Sequence, residues 1–176
     1  MKPTGRVLMI GDIVGAPGRS AVARLVPVLR REEELDFVVA NAENAAGGRG
    51  LTLALAEELF AAGVDVLTLG DHAWDQKEMI HQIERDPRLL RPQNLPAGCP
   101  GRGWATYESP VGPVTVLSLM GRTFMNAVAD CPFRAAEAVL RTEAASGLIL
   151  VEIHAEATSE KVAMGWFLDG TVAAVV

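Results

Sequence analysis

The chain has 176 residues, 49% of them hydrophobic, with two cysteines and a formal net charge of −6. That length and hydrophobic share suit one domain with a real core and exclude disorder, and no apolar run approaches the roughly 20 residues of a membrane-spanning helix. The negative balance argues against a broad grip on nucleic-acid backbone; Cys99 and Cys131, lacking CxxC spacing, indicate neither a disulfide framework nor a thiolate metal site.

The N-terminal "MKPTGRVLMIGD" has too short an apolar stretch for a secretory leader and no small-residue cleavage pattern, so a cytoplasmic protein is expected. "RVLMIG" (6–11) is a continuous apolar run of the kind buried on both faces of a sheet. After the turn "GAPGRS", the segment "AVARLVPVLRREEEL" predicts a helix with a disturbance at Pro27. "DFVVANA" is a second strand and "ENAAGGRG" a loop; Thr52 is placed to cap the helix "LALAEELFAA", which Gly63 closes. "VDVLTLG" is a third strand. Asp75 and Glu78 have the spacing of a capping box opening "QKEMIHQIER", which stops before Pro87. "GWATYES" and "PVTVLSLM" flank "PVG" as a β-hairpin turning at Gly112. A helix follows from Pro132 through "PFRAAEAVLRTEAA". "GLILVEI" is a buried strand, "TSEKVAMGWFL" a short helix and "TVAAVV" a last strand. This alternation implies an α/β fold with right-handed crossovers and a mostly parallel sheet, made mixed by the hairpin.

In open α/β sheets, ligands bind outside the carboxyl ends of the strands. The residues just beyond each strand are therefore the ones to read for function. They are Asp12 in "IGDIVG", Glu43 and Asn44 in "NAENAAGG", Asp71 and His72 in "LGDHAWD", and His154 in "VEIHAEATSEK" with Glu152 and Glu156 beside it. Neighbouring strands would gather at least three carboxylates and two imidazoles. Two like charges about 4 Å apart repel by roughly 4 kcal/mol at an effective dielectric near 20. Divalent metals remove that conflict, and mixed oxygen and imidazole donors suit Mn, Fe or Zn better than Mg or Ca. A carboxylate shared by two ions about 3.5–4 Å apart would activate water and clamp a phosphoryl group.

Each residue also has a plainer reading. Asp12 and Asn44 could satisfy backbone groups in glycine-rich turns, and Asp71 could be an ordinary loop acid. A histidine such as His154 at the end of an apolar strand is more often structural than a ligand. His81, mid-helix among charges, is assigned no function. "GAPGRS" could hold a phosphate on backbone amides, a weak signal in so loose a glycine turn. Four such strand endings in one chain are much harder to attribute to chance than any one alone.

"GDIVGAPGR", "ENAAGGRGLT", "LGDHAWD", "LLRPQNLPAGCPGRG", "LMGRTFM" and "HAEATSEKVAMGW" run in order along nearly the whole chain. Together they resemble the YmdB-type bacterial metallophosphoesterases of the calcineurin-like superfamily. The resemblance implies an α/β sandwich around a dinuclear metal centre and hydrolysis of phosphodiesters, with cyclic nucleotides such as 2′,3′-cyclic AMP as substrates. By matching motif, Asp12 would ligate one metal, Glu43 would bridge, and Asp71 and His154 would ligate the second. Asn44 would lie close to metals or phosphate. His72 matches the family's catalytic histidine, assisting the leaving oxygen after attack by a metal-bridging hydroxide. The implied cofactors are two divalent transition metal ions, Fe or Mn foremost and Zn next. The implied partners are small phosphodiesters; a homo-oligomer is compatible with the sequence.

Two departures from the family pattern carry expectations. Its third motif is usually Gly-Asn-His; Asp71 in the asparagine's place adds a negative charge that should strengthen metal binding while weakening the ions' Lewis acidity. In the family, the strand matching "TVAAVV" leads into a Gly-Thr-His-Thr-His segment whose histidines complete both metal sites. This sequence stops at Val176, so the domain (1–176) is expected to be incomplete at its C-terminus, and the segment alone to bind metal poorly and turn over slowly. The leading expectation is a dimetal phosphodiesterase. The alternative is a non-catalytic nucleotide-binding or regulatory protein with an incomplete metal centre. A Rossmann-type dinucleotide enzyme is disfavoured because no GxGxxG follows the first strand.

Overall fold

The computed structural model describes residues 5–176. Residues 1–4, the start of the segment read above for a leader, lie outside the described residues. The first half contains β1 (Val7–Ile10), α1 (Gly15–Glu32), β2 (Phe37–Asn41), α2 (Leu53–Ala61), β3 (Val66–Thr68), α3 (Lys77–Gln82), a 3-10 turn (Ile83–Arg85) and β4 (Leu89–Leu90). The second half contains β5 (Trp104–Tyr107), β6 (Val114–Met120), α4 (Pro132–Leu140), β7 (Leu148–His154), α5 (Thr158–Leu168) and β8 (Ala174–Val175).

The alternation led us to expect one mixed sheet. The strands instead form two four-stranded sheets, one ordered β1-β2-β3-β4 and the other β5-β6-β7-β8. The first is parallel throughout. The second is mixed, because β5 and β6 pair antiparallel while β6, β7 and β8 run parallel. Between them lies a stretch carrying Pro92, Pro96 and Pro100, which lack the N–H that a continuing ladder needs. An isolated bridge links Leu90 to Arg102 across that stretch.

Strand alternation explains why whole runs are buried. Phe37 and Val39 of β2 face inward and meet Val114, Val116 and Leu150 of the second sheet. Val38 and Ala40, pointing the other way, pack with Val22, Val26, Ala56 and Leu59 of α1 and α2. On the far side, Leu117, Leu119, Val151 and Ile153 cover themselves with Ala136, Val139, Met164 and Leu168 of α4 and α5. The result is an α/β sandwich of helices, sheet, sheet and helices. Among the described residues, no helix is long and apolar enough to cross a membrane.

Local signals behave unevenly. Thr52 accepts the N–H of Leu55 at 3.3 Å, as its capping role requires. Gly112 turns the hairpin at φ +99°, a conformation costly for any residue with a Cβ. α1 begins six residues earlier than expected and continues unbroken through Pro27. Its early start suits Pro17 in the first turn, where a missing N–H costs nothing. The Asp75/Glu78 capping box does not form: Gln76 occupies the cap position of α3 without a side-chain bond to the helix's own N–H groups. The Glu78 carboxylate instead accepts the N–H of Leu53 at 2.9 Å, satisfying an orphan donor at the start of α2. The helix expected from Pro132 to Ala145 ends at Leu140. β4, only two residues long, has no periodicity to read and was not anticipated.

Candidate metal centre

Each strand ending named from the sequence arrives at one rim. Asp12 follows β1 by two residues, Glu43 and Asn44 follow β2, and Asp71 and His72 follow β3. His154 ends β7 of the other sheet. Ligand-capable atoms of Asp12, Glu43 and His154 lie within 4.8 Å of one another, and so do those of Glu43, Asp71 and His72. Glu43 belongs to both groups. It is also the most enclosed of the six, with only 2% of the residue exposed. The structure thus brings together all six sequence-predicted residues, while His81 sits exposed on α3, away from them.

His154 Nε2 stands 3.2 Å from Glu43 Oε1 and 3.3 Å from Asp71 Oδ1, and its Nδ1 is 3.9 Å from Asp12 Oδ1. The imidazole therefore faces carboxylates of both groups. Asn44 does not satisfy turn backbone with its side chain, as its plainer reading would have it. Its Nδ2 donates to Glu43 Oε1 at 3.1 Å and to Asp12 Oδ2 at 3.4 Å. Its Oδ1 is then left to accept from His72 Nδ1 at 2.8 Å. That contact places the His72 proton on Nδ1 and leaves Nε2 without a hydrogen bond among the described residues. The backbone N–H of His72 also donates to Glu43 Oε2 at 3.3 Å.

The electrostatics follow from this packing. Burial pushes the Glu43 carboxyl up, but the hydrogen bond and charge of His154, with the His72 N–H and ring, more than offset it and hold the carboxyl below its ordinary value. For His154, burial alone would favour the neutral ring; Glu43, Asp12 and Glu152 outweigh it and raise the imidazole to about 9. Glu152, on β7, is pushed up by burial despite bonds from Thr68 and Asn41. Its Oε2 has no partner among the described residues.

These residues fit divalent metal ions. Among the described residues, no Lys or Arg pairs with Asp12, Glu43 or Asp71, so the proton on His154 is the nearest counter-charge to three carboxylates. Oxygen and imidazole donors in this mixture suit transition metals. The backbone is also shaped around the cluster: a Cβ on Gly70 would collide with Glu43 Oε2 and the His154 ring. A cleft of about 260 Å³ opens beside the centre, walled by Asp12, Glu152, His154, Glu156 and Lys161.

Sequence reasoning missed three contributors. Asn41 falls within the second strand, Gly70 at the end of the third and Lys161 within the helix "TSEKVAMGWFL", and none of them is assigned a role from the sequence. Only the Asn within an otherwise apolar strand carried a usable signal, since a buried amide needs partners.

The family model described as "YmdB-like protein" matches residues 8–176. The chain is 42% identical over 171 residues to the 2′,3′-cyclic-nucleotide 2′-phosphodiesterase of Bacillus subtilis, covering 97% of this chain and 65% of that protein. The crystal structure of a hypothetical protein from Thermus thermophilus superposes with a TM-score of 0.89 at 45% identity, covering 97% of this chain and 66% of that one. A novel phosphatase from Mycoplasma pneumoniae superposes with a TM-score of 0.88 at 30% identity, covering 98% and 63%. The chain thus spans a little under two thirds of the length of these relatives.

Proposed function

The chain belongs to the YmdB-like family, and from that premise we propose that it is a metal-dependent phosphodiesterase acting on small phosphodiesters, cyclic nucleotides of the 2′,3′ type among them. The observation that carries the proposal is Glu43, enclosed at the strand ends and common to two groups of oxygen and nitrogen donors. The substrate class comes from the activity named for the Bacillus subtilis relative.

In this reading Asp12 would hold one ion, Asp71 and His154 a second, and Glu43 would serve both; Fe or Mn would suit the donors best, with Zn next. Bound metal ions would supply an acidic water and neutralise phosphoryl charge. The chain's own residues do the rest. Asn44 fixes the His72 ring through Nδ1, which leaves Nε2 to hold or pass a proton at the leaving oxygen. Lys161, on the cleft wall, offers a positive charge to the phosphate. The sandwich holds these groups on strand ends, where little reorganisation is needed during reaction.

Metal analysis and hydrolysis of bis(p-nitrophenyl) phosphate and 2′,3′-cyclic AMP test this, comparing the protein with Glu43→Ala and His72→Ala. Glu43→Ala should lose both metal and turnover. His72→Ala should retain metal while turnover falls by about 10²–10⁴-fold. Activity indifferent to both substitutions would overturn the assignment.

A further inference from the structure

Asn41 is the last residue of β2 and is only 2% exposed, in a strand whose other members are Phe37, Val38, Val39 and Ala40. An apolar residue would suit that position, because an amide buried there must find partners for its oxygen and its NH2. Its backbone carbonyl accepts the N–H of Ile13 at 2.9 Å, pinning the residue next to Asp12. Its side-chain Oδ1 accepts the N–H of Glu43 at 3.1 Å. Its Nδ2 donates to Glu152 Oε1 at 2.7 Å and lies 3.5 Å from His154 Nδ1. One buried side chain and its carbonyl therefore touch the segments that deliver Asp12, Glu43 and His154, across both sheets.

The orientation of that amide is determined by its partners. The Glu43 N–H can only donate, so Oδ1 must face it and Nδ2 must face β7. There Glu152 Oε1 accepts from the amide, and the same NH2 abuts the Nδ1 edge of the imidazole. The other ring nitrogen, Nε2, is turned toward Glu43 and Asp71. Glu152 makes no ion pair with a Lys or Arg among the described residues, and the Asn41 amide is the hydrogen-bond donor that meets its Oε1.

Resting on the metal-centre reading above, we infer that Asn41 and Glu152 form a positioning pair that sets Glu43 and His154 relative to one another beneath the metal site. They touch no substrate; they act through the residues they hold. Partners of this kind typically change metal affinity by about 10–100-fold when removed.

The test is Mn²⁺ titration of the protein, followed by electron paramagnetic resonance and calorimetry. The variants are Asn41→Val, Glu152→Met, Glu152→Gln and, as a control on the site itself, Glu43→Gln. Near-UV circular dichroism and metal-free Tm report folding. Glu152→Met and Asn41→Val should weaken Mn²⁺ binding by about 10–100-fold at temperatures where the metal-free protein remains folded. Glu152→Gln, whose side-chain oxygen can still accept from the Asn41 amide, should keep affinity within about threefold of the wild type, well short of the roughly 10–100-fold loss expected when such a partner is removed. Folded Asn41→Val and Glu152→Met proteins that bind Mn²⁺ like the wild type would overturn the inference, as would a Glu152→Gln loss equal to that of Glu152→Met. Losses that merely track the fall in metal-free Tm would also overturn it. If Asn41→Val does not fold, the two Glu152 variants decide. If Glu43→Gln binds as the wild type does, the metal-centre reading itself fails, a different result from failure of the positioning pair.

Discussion

Protons and metal ions should compete at His154, and the size of the competition follows from its surroundings. The imidazole is held at about 9 although burial alone would lower it, because Glu43, Asp12 and Glu152 surround it. At pH 7 only about 1% of the rings would be free to ligate, so apparent metal affinity should be lower than its high-pH limit on the order of 100-fold, or about 2.7 kcal/mol. Affinity for Mn²⁺ should therefore rise as pH increases from about 6.5 toward 9, by up to roughly tenfold per unit, and then flatten. Calorimetry in buffers of different ionisation enthalpy would detect the proton that His154 releases. In His154→Asn that proton and the associated pH slope should disappear, along with much of the affinity. The sign for stability is opposite. A folded value above the ordinary one means the proton's stabilisation of the metal-free protein is fully present below about pH 6.5 and lost as pH rises through about 9. Metal-free Tm should fall across that window. Mn²⁺ affinity flat from pH 7 to 8.5, or unchanged proton release from His154→Asn, would refute the reasoning.

Four further substitutions probe the scaffold. Gly70→Ala drives a methyl into Glu43 and His154 and should cost about 1–3 kcal/mol in urea unfolding as well as weakening Mn²⁺ binding; wild-type values for both would show that the cradle is not tight. Thr52→Ala and Glu78→Ala each remove a partner from the first turn of α2 and should each cost about 0.5–2 kcal/mol. Their double mutant should show whether the two caps add. Leu67→Ala empties a fully buried position beneath α1 and α2 and should cost about 2–5 kcal/mol by the same unfolding assay, with a loss under 1 kcal/mol contradicting the packing described.

Much of the site was legible because its chemistry is concentrated where strands end. Asp12, Glu43, Asp71, His72 and His154 stand out as acids and imidazoles directly after apolar runs, and such runs locate the strands. Thr52 was legible for a similar reason: a cap acts on a backbone N–H three residues away, so its cause lies within one turn of chain. Glu78 shows where that logic ends. Its spacing from Asp75 has the form of a capping box, yet its carboxylate serves Leu53, which is remote in sequence and adjacent only in the folded molecule. Asn44 is a third case. Its turn location suggested a backbone role, but its amide is claimed by Asp12, Glu43 and His72, two of them from other strands.

The sequence by itself determined the alternating α/β order, the helices and most of the strands. It also determined which acids and imidazoles lie at strand ends, because burial periodicity and capping are local properties of a chain. Only the tertiary structure decided that the strands divide into two sheets and that β7 faces β2 so closely. Those choices depend on contacts between residues more than a hundred positions apart, such as Asn41 with Glu152. They also left Gly70 without room for a side chain. Such contacts are selected by the packing of whole faces, and no window of sequence encodes which face will lie opposite.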